Sequence, residues 1–111
     1  MEATAKLRFV RGSARKARLV LDQIRGRQVV EAQNILKFSR RRAAGQIGKL
    51  LASAIANAQV QEPKIDLDTL IVGVALADEG PVMKRFMPRA QGRAFLIRRP
   101  TCHITLEIHS I

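Results

Sequence analysis

The chain has 111 residues and a mass of 12.3 kDa, enough for one hydrophobic core but not a second. Twenty Lys+Arg against nine Asp+Glu give a formal net charge of +11, yet 47% of residues are hydrophobic, which excludes a basic disordered tail and makes a polyanion the expected partner. The single cysteine excludes an internal disulfide and a multi-thiolate metal site; with no bilayer-length apolar run and no charged-then-apolar leader pattern, the expected class is a soluble intracellular domain with no membrane association.

Residues 2–10 alternate, with Ala3, Ala5, Leu7 and Phe9 against Glu2, Thr4, Lys6 and Arg8, which predicts a half-buried strand. Gly12-Ser13 follows as a turn and helix cap, the Ser13 hydroxyl being able to accept from the free amides of the first turn. Ala14, Ala17, Leu21 and Ile24 then form one helical stripe, with Arg15, Arg18 and Arg25 in a narrow arc beside it and Gly26 as its stop. A second helix is expected from Val29 to about Phe38, with Val30, Ile35 and Phe38 as core candidates and the basic run Lys37, Arg40, Arg41, Arg42 joining it to a third. The third, over about 43–60, has Ala44, Ile47, Leu51, Ala54 and Ala58 at spacings of three and four. Lys49 is its only charge, so it reads as the central core helix, with Gly45 and Gly48 permitting close packing. Glu62-Pro63 closes it, and 66–68 reads as an exposed acidic loop.

Leu70, Val72, Val74 and Leu76 alternate with Ile71, Gly73, Ala75 and Ala77, predicting a second strand with the larger set buried. Ile104, Leu106 and Ile108 alternate with Thr105, Glu107 and His109 to give a third. The intervening stretch, about 80–101, is too long for a structureless loop in so small a domain. A hairpin extending the second and third strands accounts for it. Arms of about ten residues would reach on the order of 30 Å from the body. Pro88 restricts one arm, and Gly92 supplies a positive φ near the bend. Such an arm is expected to be mobile when free and ordered against a partner. The fold class is therefore α+β: three helices on a three-stranded antiparallel sheet, as a single domain over 1–111, with a body of 1–80 and 102–111 and an extended basic hairpin over 81–101.

The charge is partitioned: residues 1–42 carry a net +9, 43–80 a net −3 and 81–111 a net +5. Between Pro81 and His103 there is no acid, and arginine outnumbers lysine fourteen to six. Guanidinium pairs bidentately with phosphate and stacks on bases, so this bias favours nucleic acid over a merely solvated surface. Catalysis finds no constellation. Cys102 and His103 are adjacent and would point to opposite faces of a strand, and His103 and His109 are too far apart to chelate a metal unaided. The Gly45-Gln46-Ile47-Gly48-Lys49 segment lacks the spacing of a phosphate-binding loop and lies inside a helical pattern, which also argues against a KH loop. The absence of Trp and Tyr disfavours an RRM sheet. A helix-turn-helix around Gly26 is the rival reading, opposed by a second helix that ends, rather than begins, with its charge cluster.

Arg11-Gly12-Ser13-Ala14-Arg15-Lys16-Ala17-Arg18-Leu19-Val20 followed by Ile24-Arg25-Gly26 resembles the first-helix signature of the bacterial large-subunit ribosomal protein twenty-two family. Ala52-Ser53-Ala54-Ile55-Ala56-Asn57-Ala58 is similar to the end of that family's third helix. The most specific resemblance lies in Asp78-Glu79-Gly80-Pro81, Lys84-Arg85, Pro88-Arg89-Ala90-Gln91-Gly92-Arg93-Ala94 and Thr101-Cys102-His103-Ile104-Thr105-Leu106. Ala14 stands where the family commonly has proline, Cys102 replaces a common serine, and Pro100 interrupts a usually basic pair.

The resemblance implies a non-enzymatic structural constituent of the large ribosomal subunit in the bacterial cytoplasm, without cofactor or metal and not a homo-oligomer. Its implied partners are large-subunit rRNA of the 23S class across several domains, neighbouring large-subunit proteins, and the nascent polypeptide at the hairpin tip. Subunit assembly is the implied wider role. The expected rRNA-binding residues are Arg8, Arg11, Ser13, Arg15, Lys16, Arg18 and Arg25 on the body. Lys84, Arg85, Arg89, Arg93, Arg98 and Arg99 are their counterparts on the hairpin. By the same resemblance Met83, Lys84 and Arg85 lie on the arm tied to macrolide sensitivity, and Gln91, Gly92, Arg93 and Ala94 form the tip of the exit-tunnel hairpin.

Overall fold

The computed structural model describes residues 2–88, Gly92 and 94–110. Its elements run β1 (Glu2–Arg11), α1 (Ala14–Ile24), α2 (Val29–Phe38), α3 (Arg42–Gln61), a 3-10 turn (Leu67–Thr69), β2 (Leu70–Glu79), β3 (Met83–Pro88), β4 (Ala94–Arg99) and β5 (Thr101–Ser110). An antiparallel sheet in the order β1-β5-β2 carries the helices on one face, while β3 and β4 pair only with each other. The expected α+β architecture is therefore the one observed. The molecule is elongated, with extents of 64 × 24 × 16 Å.

The core lies between sheet and helices, built from Leu21 and Ile24 of α1, Ile47 and Leu51 of α3, and Leu70, Ile104, Leu106 and Ile108 of the sheet. The stripes read in α1 and α3 are all buried. Ser13 caps α1 by accepting from the Lys16 amide at 3.3 Å. Gly26, at φ 79°, ends the exit from α1 and donates its amide to the Val72 carbonyl at 2.8 Å, tying the loop to the free edge of β2.

Three expectations about buried faces are corrected, each for a local reason. In β1 the register slips between Leu7 and Val10, with Phe9 at φ 58°; Val10 turns into the core and Phe9 is 64% exposed. In β2 a bulge between Val72 and Val74 reverses the alternation. Ala75 and Ala77 are buried thereafter and Leu76 is exposed. The bulge sits at Gly73, where the His109 ring lies so close that no Cβ would fit. In α2 the buried set is Val29, Ala32 and Leu36, with Val30 and Phe38 outside and Ile35 only partly buried. The close packing expected of the α3 glycines is also absent: a Cβ at Gly45 would meet open space, and at Gly48 only ordinary contact with Leu36.

Candidate nucleic-acid interface

The hairpin leaves the body through a fixed junction. The Gly80 amide donates to the Thr101 carbonyl at 2.9 Å and the Gly12 amide to the Pro100 carbonyl at 3.1 Å. The Thr101 hydroxyl, buried between the arms, donates to the Pro81 carbonyl at 2.5 Å. These bonds hold both arms to the sheet at the point where β2 and β5 give way to β3 and β4.

Beside this junction lies a cleft of about 1120 Å³ between the hairpin base, α1 and the start of α3. Among the described residues seven cations line it: Arg11, Arg15 and Lys16 from the β1–α1 region, Arg41 and Arg42 at the start of α3, and Arg85 and Arg99 from the hairpin. Ser13 is on its wall, Val10, Ala17, Cys102 and Ile104 supply apolar floor, and no acid lines it. Cations gathered without counter-charges repel one another, so the cleft favours an extended anion over an empty state. The start of α3 adds to this, because Arg41 gives no side-chain cap and the first turn holds no acid. Arg41 and Arg42 were not among the residues expected to bind. The one sequence signal for them was an arginine run placed where a capping residue would normally stand.

On the hairpin, Lys84 stands directly opposite Arg98 and Phe86 opposite Leu96. Like charges facing each other across a two-stranded ribbon destabilise it, a cost that an external anion would relieve. Arg85 folds back along its own strand, its guanidinium donating to the Lys84 carbonyl at 3.0 Å and lying 3.9 Å from Met83 Sδ. Met83 pairs with Arg99, and Ala94 begins β4 opposite Pro88. Gly92 has φ 72°, the left-handed conformation expected of it near the bend. Arg89, Gln91 and Arg93 lie outside the described residues.

The remaining body cations are not brought to the cleft. Arg18 Nε donates to the Ala77 carbonyl at 3.1 Å, and Arg25 bonds both the Ala75 carbonyl and, at 2.6 Å, Asp22. These two arginines cover the outward carbonyls of β2, an edge strand that would otherwise expose them. Arg8 borders a separate hollow with Lys6, Phe9, Asp78 and His103. There the Phe9 amide donates to His103 Nδ1 at 3.0 Å, and the two rings meet edge to face at 4.8 Å. Cys102 faces the core, with its thiol pKa raised by burial and partly offset by the Arg18 cation. Among the described residues no three His, Cys, Asp or Glu side chains are grouped as a metal site.

Residues 5–109 match the family described as ribosomal protein L22p/L17e. The chain is 55% identical over 109 residues to the large ribosomal subunit protein uL22 of Syntrophotalea carbinolica, covering 98% of each chain. It is 54% identical to uL22 of Fusobacterium nucleatum subsp. nucleatum, over 97% of this chain and 96% of that one, and 53% identical to uL22 of Geobacter metallireducens, over 97% of each. With a match across nearly its whole length, an α+β body that carries a basic hairpin and a cleft suited to a polyanion, this chain belongs to the ribosomal protein L22p/L17e family, whose members are structural proteins of the ribosome and not enzymes.

Proposed function

We propose that the chain is a structural constituent of the large subunit of the bacterial cytoplasmic ribosome, held to large-subunit rRNA by phosphate contacts and contributing to subunit assembly. The observation that carries this is the acid-free cleft at the hairpin base, where Arg11, Arg15, Lys16, Arg41, Arg42, Arg85 and Arg99 converge from three separate stretches of chain. Contacts of this kind position a protein on RNA without reading its sequence, so specificity comes from RNA shape and from the fit of the hairpin between helices. Beyond the cleft, Lys84 and Arg98, with Arg89 and Arg93 nearer the bend, neutralise packed phosphates along the hairpin. Met83, Lys84 and Arg85 and the tip residues Gln91, Gly92, Arg93 and Ala94 border the polypeptide exit tunnel, within reach of the nascent chain. Arg8 faces RNA from a separate hollow, and Arg18 and Arg25 act first on the β2 edge.

Engagement of about six to ten phosphates makes affinity for an rRNA transcript fall by roughly 10³–10⁵ between 50 and 200 mM salt. Filter binding of the full chain to a large-subunit rRNA transcript across that range is the test; a flat titration would overturn the electrostatic reading.

A further inference from the structure

Phe38 closes α2 and is 79% exposed, while the helix seats Val29, Ala32 and Leu36 in the core instead. A phenyl ring left in water gains nothing for the fold. Its surroundings are cationic: Lys37 Nζ lies 5.8 Å from the ring centroid, Arg40, Arg41 and Arg42 follow, and no acid occurs anywhere in residues 32–61. The link to α3 is pinned, with the Ser39 amide bonded to the Leu36 carbonyl at 3.4 Å and the Arg41 amide to Ser39 Oγ at 3.3 Å. Phe38 is thus held at one end of a short, extended segment whose other end, Arg41 and Arg42, enters the basic cleft. Among the described side chains the other exposed phenylalanines differ: Phe9 packs on His103 and Phe86 faces Leu96 across the hairpin, whereas the ring contact of Phe38 is with a cation.

We propose that Phe38 is a stacking platform for an unpaired base of the bound RNA, with the adjoining phosphates held by the arginines of the α2–α3 link. Resting on the rRNA-binding reading above, this names a base contact where that reading has only phosphate contacts. An unpaired nucleotide matches the place in both respects, offering a π-face to the ring and a negative charge to the cations. A protein segment covering the same ring would have to bring its own acids.

The test uses the full chain and a large-subunit rRNA transcript. Phe38→Ala is expected to weaken binding by about 5- to 150-fold, the range that loss of one stacked base produces, with the slope of log affinity against log salt unchanged. Phe38→Tyr, which keeps the ring, restores affinity, while Arg41→Gln lowers the slope by about one. Because the chain contains neither Trp nor Tyr, Phe38→Trp makes the site its own fluorophore. The transcript should quench it, and inorganic polyphosphate, which has charge but no bases, should not. Equal quenching by both, or wild-type affinity in Phe38→Ala, overturns the proposal. So does a Phe38→Ala chain that binds RNA normally but no longer associates with other large-subunit proteins, since the occupant would then be protein. Steep salt dependence together with an affinity that Phe38→Ala leaves unchanged removes only the stacking; a flat salt titration in which Phe38→Ala still weakens binding keeps the stacking and removes the electrostatic reading.

Discussion

Cys102 and Arg18 show how one side chain can serve two ends of the fold. The Cys102 thiol is buried under the hairpin base, and desolvation pushes its pKa up, while the Arg18 cation, held near by its bond to the Ala77 carbonyl, pulls it partly back. The folded thiol therefore keeps its proton to higher pH than the unfolded one. As pH rises past the ordinary thiol range the unfolded chain ionises first, so stability from this site is complete below that range and declines up to the raised folded value. Chemical denaturation of wild type and Cys102→Ala from pH 7 to 10 should show a wild-type advantage that narrows with pH, by at most about 1.4 kcal/mol per pH unit. A constant gap would mean the burial of the thiol carries no ionisation penalty. None of this residue-scale division was legible in the sequence. Arg15, Arg18 and Arg25 fall in one arc of the helical pattern in the sequence and look equivalent there. Only the position of the β2 edge sends Arg18 and Arg25 to carbonyls and leaves Arg15 in the cleft.

At the scale of elements, α3 is built against its own interest at one end. Helix N-termini carry partial positive charge, and this one opens on Arg41 and Arg42 with neither a capping side chain nor an acid in its first turn. Arg41→Ser should therefore stabilise the free protein by about 0.5–1.5 kcal/mol in urea unfolding, while weakening its affinity for rRNA. A variant both more stable and equally tight-binding would place Arg41 outside the interface. Helix existence and the stripes of α1 and α3 were readable because a 3.6-residue period survives any neighbour. The strand faces were read correctly only up to the first bulge: with a period of two, one inserted residue at Phe9 or Gly73 exchanges inside for outside for the rest of the strand. Gly73 was a visible cue in an otherwise apolar run; Phe9, a non-glycine at positive φ, offered none. In α2 two interleaved apolar sets, Val29/Ala32/Leu36 and Val30/Ile35/Phe38, compete for one face. The smaller alanine-containing set wins where α2 packs against α3, with Leu36 lying against Gly48.

The whole molecule joins a body with a core of its own to an arm with none. Among the residues whose burial is described, every core member belongs to β1, β2, β5 or the three helices, and β3 and β4 contribute none. A lone two-stranded hairpin is at best marginally stable in water, and this one sets Lys84 against Arg98 and leaves Phe86 77% exposed. Its order is therefore expected to depend on what surrounds it, and its removal to leave the body's packing intact. Deleting residues 83–95 shortens the connection between the paired ends Glu79 and Cys102 to a length an antiparallel pair readily closes. The shortened chain should fold, with a melting temperature within a few degrees of wild type by circular dichroism. It should still bind rRNA through Arg11, Arg15, Lys16, Arg41 and Arg42, but with a salt slope lower by up to about 4, since Lys84, Arg85, Arg89 and Arg93 go with the deletion. In cells it should sediment with the large subunit and alter the response to macrolides or to nascent chains that stall in the tunnel. A deletion chain that fails to fold, or folds and no longer binds rRNA, would show that the arm supports the body and that anchoring and tunnel lining are one function rather than two.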